Sequence, residues 1–236
     1  MAEGNSLLEA DYQSQIKVVH RLIDDSHADG DFYLMLVLST LVTTLGLLLN
    51  NASIVIGGML IAPLLTPILA LGMGVVTSSQ VAIQRSIKIL LRSILLILGI
   101  SFLMALLLGL NLEDNQEILS RIRPTLPYIY VALVSGVAAA FSWVRPRLSA
   151  TLPGVAVSVA LLPPLAVSGI GLTKANSQLT LVTGSFQLFL INFIGIVLAS
   201  VLVFALQGFY RVRWEEERKI EQELAAAQEE PAKSQA

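Results

Sequence analysis

"GGMLIAPLLTPILALGMG", residues 57–74, is apolar enough to cross a bilayer yet contains two prolines and four glycines. Proline removes a backbone donor and its ring clashes with the preceding helical turn, and glycine lowers helix propensity. A span built from such residues is expected to break near its middle. In an uninterrupted helix Pro63 and Pro67 would strip the carbonyls of Met59 and Pro63 of their usual donors. Such carbonyls need protein, water or a solute rather than lipid.

The rest of the chain sets the context for that break. Its 236 residues are 55% hydrophobic and 14% charged, the balance of an integral membrane protein rather than a soluble domain. The net charge of −2 gives no global field for nucleic acid, and the absence of cysteine excludes disulfides, thiolate metal sites and a cysteine nucleophile. Residues 1–31 are polar and acidic and lack the basic start of a signal peptide. Six stretches approach the roughly 20 residues that a helical span requires: 32–50, 53–76, 93–111, 128–144, 153–173 and 185–208. Only Asn50, Asn51 and Ala52 separate the first two, which predicts a tight hairpin. The fourth is rich in small residues and suits close helix packing.

Lys and Arg are distributed unequally between the two sides: twelve on the side of the N-terminus and three (Arg121, Arg123, Lys174) on the other. That bias predicts cytoplasmic N- and C-termini, with an inner (plasma) membrane location as the expectation. Residues 12–23 place Ile16, Val19 and Ile23 on one helical face, expected to lie on the membrane surface or against a neighbouring subunit. Residues 81–92 read as a second amphipathic element, with Arg85, Lys88 and Arg92 opposite Ile83, Ile87, Leu90 and Leu91. These cations are candidate contacts for anionic lipid or for an anionic solute at the mouth, although such faces more often snorkel and set orientation. The tail 211–236 reads as a polar helical extension with Glu215 four residues before Lys219, ending in disorder around Pro231.

A second broken span is expected at 152–172, "LPGVAVSVALLPPLAVSGIGL", with Pro163 and Pro164 in mid-span and flanking glycines. A shift of one hundred residues lays Pro63 on Pro163, and spans one to three roughly onto four to six. Three spans per unit force the second unit to enter from the opposite side, so the expectation is an all-α, six-span protein made of two inverted repeats, with its second and fifth helices broken. Units 32–111 and 128–210 would be the repeats, joined by an extracytoplasmic loop 112–127. Paired interrupted helices are a sequence pointer to a transporter's central site. The candidate pathway residues are Ser53, Gly57, Gly58, Pro63, Thr66, Pro67, Ser158, Pro163, Pro164, Ser168, Gly169 and Asn192. For Asn192, polar glue between helices is the commoner reading.

Chemistry is constrained by what the spans omit. They hold no Asp, Glu or His, which argues against proton coupling through a buried carboxylate. Walker, dinucleotide, H-E-x-x-H and G-x-S-x-G signatures are absent, so neither an enzyme nor a cofactor is expected. His27, Asp29 and Asp31 read as a polar turn rather than a metal site. The two proline blocks, 53–74 and 153–172, resemble the paired signature blocks of the bacterial domain-of-unknown-function 389 family. Under that resemblance Ser53, Gly57, Pro63, Pro67, Pro153, Gly154, Pro163, Pro164 and Gly169 are the positions carried over. The resemblance implies, for many members of that family, a soluble domain ahead of the first span, where this chain has about thirty residues; an activity resting on such a domain is expected to be absent or supplied elsewhere. The expected function is therefore a transporter or channel-like permease for a small solute or ion, acting as a homo-oligomer in the lipid bilayer. The alternative is a non-transporting scaffold or lipid-binding protein.

Overall fold

The computed structural model describes residues 12–25, 28–108, 115–145, 151–174 and 179–212. Every regular element among them is helical: α1 (Tyr12–Asp25), α2 (Gly30–Leu48), α3 (Ala52–Ile61), α4 (Leu65–Thr77), α5 (Gln80–Leu108), α6 (Gln116–Leu119), α7 (Leu126–Val144), α8 (Thr151–Gly171) and α9 (Leu179–Leu206), with short 3-10 turns at Leu172–Lys174 and Phe209–Val212. Among the described residues α2, α5, α7 and α9 are each long and apolar enough to cross a membrane. The bent pair α3–α4 makes a fifth candidate. The polar tail beyond residue 212 lies outside the described residues.

The hairpin between α2 and α3 forms as its residues dictate. Asn50 takes the left-handed conformation at φ 53°, which Asn tolerates better than most side chains. Asn51 caps α3, its Oδ1 accepting from the N–H groups of Ser53 and Ile54 at 3.0 and 3.2 Å. The short α6 folds back on this hairpin, where Asn115 Nδ2 donates to the Leu47 carbonyl at 2.6 Å.

Two expectations about flanking elements fail. Residues 81–92 are not a separate surface helix: α5 runs unbroken from Gln80 to Leu108, because nothing between the basic turns and the apolar run interrupts helical hydrogen bonding. The N-terminal helix α1 is not left for lipid or a neighbour. Val18, Val19 and Leu22 are buried in the chain's own core, and Gln15 Nε2 donates to the Gln207 carbonyl at 2.8 Å. Arg21 stacks over the Trp143 ring at 5.2 Å. The buried face includes Val18 and Leu22, one step round from the one read from Ile16 and Val19.

A common packing register links the first and last thirds of the bundle. Each of the eight buried α2 residues, from Leu36 to Leu48, has a buried α7 residue 96 positions later, from Ala132 to Val144. Each of the seven buried α5 residues, from Ser86 to Ala105, has a buried α9 residue 99 positions later, from Ser185 to Phe204. Both faces follow the three- and four-residue steps of a helical stripe. The middle elements pair at 97 positions: Gly72 of α4 abuts Ser200 of α9, and Gly169 of α8 abuts Ser101 of α5. A Cβ on Gly169 would lie 2.7 Å from the Leu98 carbonyl oxygen, so close helix approach there needs glycine.

This register corrects the one read from the prolines. At a spacing of 97, Pro67 pairs with Pro164, Gly57 with Gly154 and Gly74 with Gly171, whereas Pro63 faces Ala160 rather than Pro163. The expected break in the fifth helix is absent: α8 is helical through both Pro163 and Pro164. The physical reason lies in the partners of its carbonyls.

Candidate functional site

The break between α3 and α4 is real and local. Ala62, Pro63 and Leu64 are non-helical, and the two helix axes differ by 55°. The Ala62 N–H turns back onto the Met59 carbonyl at 3.3 Å, supplying the donor that Pro63 denies it. Pro67 falls in the first turn of α4, where an N–H has no intrahelical partner to lose. One proline thus ends a helix and the other begins the next. No side chain caps the start of α4 at Leu64, although Leu64 and Leu65 are both buried.

α8 lies across this break. Ser158 Oγ donates to the Ala62 carbonyl at 3.4 Å, joining the fifth helix to the interruption in the second. Pro164 denies the Ala160 carbonyl its helical donor, and Asn192 Nδ2 of α9 replaces it at 2.8 Å. Ser168 Oγ donates to the Pro164 carbonyl at 3.0 Å and shares a hydrogen bond with Ser185 Oγ at 2.8 Å. Asn192 thus takes over one of the two carbonyls that the proline pair leaves without a helical donor.

Between the break and α8 sits a small void of about 10 Å³, room for roughly one water molecule. Leu64, Ile68, Leu90 and Ile94 line one side, and Leu161, Leu165, Phe189 and Phe193 the other. These are equivalent residues at spacings of 97 and 99, so the void lies on the seam between the two matching sets of helices. Ser93 is the polar side chain of the lining; its Oγ is buried and has no hydrogen-bond partner. Ser93 is the counterpart of Asn192, whose own Oδ1 is buried and unpartnered. Apart from Ser93 the walls are Leu, Ile and Phe, so the void offers a water fewer than the roughly two to four polar partners it needs.

The sequence-predicted residues divide around this seam. Ala62, the residue before Pro63, is brought against Ser158, and Asn192 against the proline pair of α8. Pro67, Pro163 and Pro164 are buried beside them, with Pro63 and Thr66 half-buried at the interruption. Gly58 is buried under α2, its carbonyl accepting from Ser39 Oγ at 2.9 Å. Ser53 is exposed at the start of α3, and no neighbour comes within 4 Å of a Cβ placed on Gly57. Pro153 and Gly154 contribute helical backbone to α8. Arg85, Lys88 and Arg92 line a separate cleft. Sequence reading missed the buried serines of α5, namely Ser86, Ser93 and Ser101, whose steps of seven and eight residues keep them on one helical face. Asp29 caps α2 by accepting from the Phe32 N–H at 2.9 Å, and the described residues contain no cluster of metal-ligand type.

A bundle of apolar helices with lipid-length spans, polar groups turned inward and large apolar side chains turned outward defines a multi-pass helical membrane protein. Residues 59–198 match the family described as "Domain of unknown function (DUF389)", and the chain belongs to that family. It is also 35% identical over 199 residues to an uncharacterized protein of Methanocaldococcus jannaschii, an alignment covering 83% of this chain and 61% of that relative. The chain thus spans less than two thirds of that relative's length. No solved structure matches it.

Proposed function

We propose that the protein is a permease for a small solute or ion, with its pathway along the seam between two inverted three-span repeats. The observation that carries this reading is the break at residues 62–64, held inside the bundle beside a void lined by equivalent residues of both halves. Irregular backbone at membrane depth is tolerated where it is buried in protein or lines a cavity, and interrupted helices at a repeat interface are a recurrent design in transporters. The spacings of 96, 97 and 99 support a duplication with three spans in each half, which counts α8 as a span beside α2, α3–α4, α5, α7 and α9. An odd number of spans per half gives opposite orientations in the membrane. The leucine, isoleucine and phenylalanine lining then acts as a hydrophobic seal of the kind that gates by dewetting.

In this reading the termini are cytoplasmic, the membrane is the bacterial inner membrane, the protein is a non-catalytic homo-oligomer, and no cofactor takes part. Ser93, Ser158 and Asn192 are the polar groups that meet the solute when the seam opens.

Liposome flux tests the proposal. The protein with Leu64→Asn or Leu161→Asn is expected to pass monovalent ions or small polar solutes at least about tenfold faster than the wild type, since a polar residue wets the seal. Cysteines placed at Thr66 and Ser93 are expected to react with polar reagents in those variants. No flux from wild type or variants across a panel of anions, cations and metabolites, with both cysteines unreactive, would favour the scaffold reading instead.

A further inference from the structure

We infer that the cleft at the start of α5 binds the phosphate of an anionic phospholipid. Its walls are Arg85, Lys88 and Arg92 with Ile89 on α5, and Ala28 and Asp29 where α2 begins, around a space of about 270 Å³. The three cations follow one another at i, i+3 and i+7, so they stand on one helical face facing a second helix start. Like charges at three- and four-residue steps repel each other in the absence of an anion.

The cleft sets one carboxylate against three cations. Asp29 is the single carboxylate of its lining, and its Oδ1 is engaged in capping the Phe32 N–H. Among the described residues no ion pair joins Arg85, Lys88 or Arg92. The first turn of α2 adds the partial positive charge of a helix N-terminus to the same space. A phosphate diester matches this set of donors, because guanidinium groups bind its oxygens two at a time.

The neighbouring surface selects a lipid over a free anion. Ile87, Leu91 and Leu95 are 41%, 55% and 69% exposed on the same turns of α5, forming an apolar rail for acyl chains beside the cations. The cations are also not part of the packing that α5 shares with α9. Ninety-nine positions later stand Gly184, Gln187 and Ile191, none charged, whereas each of the seven buried α5 positions has a buried counterpart in α9.

Native mass spectrometry of the purified full chain, exchanged into phosphatidylglycerol or phosphatidylcholine, tests the site. Wild type is expected to retain phosphatidylglycerol at least about tenfold better than Arg85→Gln/Lys88→Gln/Arg92→Gln, with Lys88→Gln alone giving a smaller drop. Arg123→Gln, which removes an exposed cation elsewhere, is expected to behave as wild type. Circular dichroism and size-exclusion profiles identify any variant that fails to fold, and Lys88→Gln, at an exposed position, keeps the test standing if the triple variant does. Equal retention by wild type and the variants, or equal retention of zwitterionic phosphatidylcholine, would overturn the inference. Inorganic phosphate displacing the lipid at millimolar concentration would assign the cleft to a free anion and overturn it as well.

Discussion

The α3–α4 pair and α8 stand 97 positions apart in the packing register, and they respond differently to proline. Both carry paired glycines at the same end, Gly72 and Gly74 against Gly169 and Gly171, and both carry the proline of Pro67 and Pro164. α3–α4 bends by 55°, whereas α8 runs helical for 21 residues. The difference is set at the position of Pro63, which is Ala160 in α8, and by the reach of the residue opposite. Asn192 is long enough to donate to the Ala160 carbonyl; its counterpart Ser93 donates to nothing. At Pro164 a neighbouring side chain takes over the orphaned carbonyl, and the helix there stays whole.

The most severe way to break this comparison is to give α8 the missing proline. Ala160→Pro is expected to cost about 3 kcal/mol or more, since it adds a third ring to a helix already short of donors. Thermal unfolding in detergent measures it. The reverse change, Pro63→Ala, is expected to alter stability by no more than about 1 kcal/mol while reducing the bend. Spin labels on cysteines at Ile56 and Val75, both exposed, read the bend as a distance; an unchanged distance would show that packing, not Pro63, imposes it.

Equivalence of the halves is tested by matched overpacking. Gly72→Val and Gly169→Val each force a side chain into the opposing helix and are expected to cost similar amounts, about 1–3 kcal/mol. A large inequality would argue that one contact is incidental. Smaller still is the contrast between the two polar counterparts. Asn192→Ala leaves the Ala160 carbonyl buried without a donor, for an expected loss of about 1–2 kcal/mol, whereas Ser93→Ala removes an unpartnered hydroxyl and is expected to change stability by about 0.5 kcal/mol or less. Gly57→Ala, on an open face of α3, is expected to stabilise by about 0.5 kcal/mol through helix propensity alone.

Much of this was readable before the helices were placed. Apolar length and composition located the long spans to within a few residues, except that α5 begins at Gln80 and α9 at Leu179, ahead of the apolar runs that announced them. The break at Pro63 followed from the missing donor. The unbroken α8 did not, because the rescue of its carbonyl depends on Asn192, 32 positions away from Ala160 in sequence. Prolines also misled the register: Pro63 and Pro163 look alike in a string, while the packing matches Pro67 with Pro164. The buried faces of α2 and α7 were the better guide, since Ser39, Thr40 and Thr43 align with Ser135, Gly136 and Ala139, small residues that only tight packing explains. The inward turn of α1 was hidden because its partner surface is assembled from α4, α7 and the turn after α9.

That small-residue face has a consequence for how the chain is made. α2 turns Ser39, Thr40, Thr43 and Thr44 away from lipid, so alone it is a poor candidate to leave the translocation machinery for the bilayer. The segment that covers these groups, with Gly58 accepting from Ser39, arrives after a connector of only three residues. Synthesis would then deliver the two as one hairpin, and lengthening residues 49–51 would slow membrane entry without touching the finished packing.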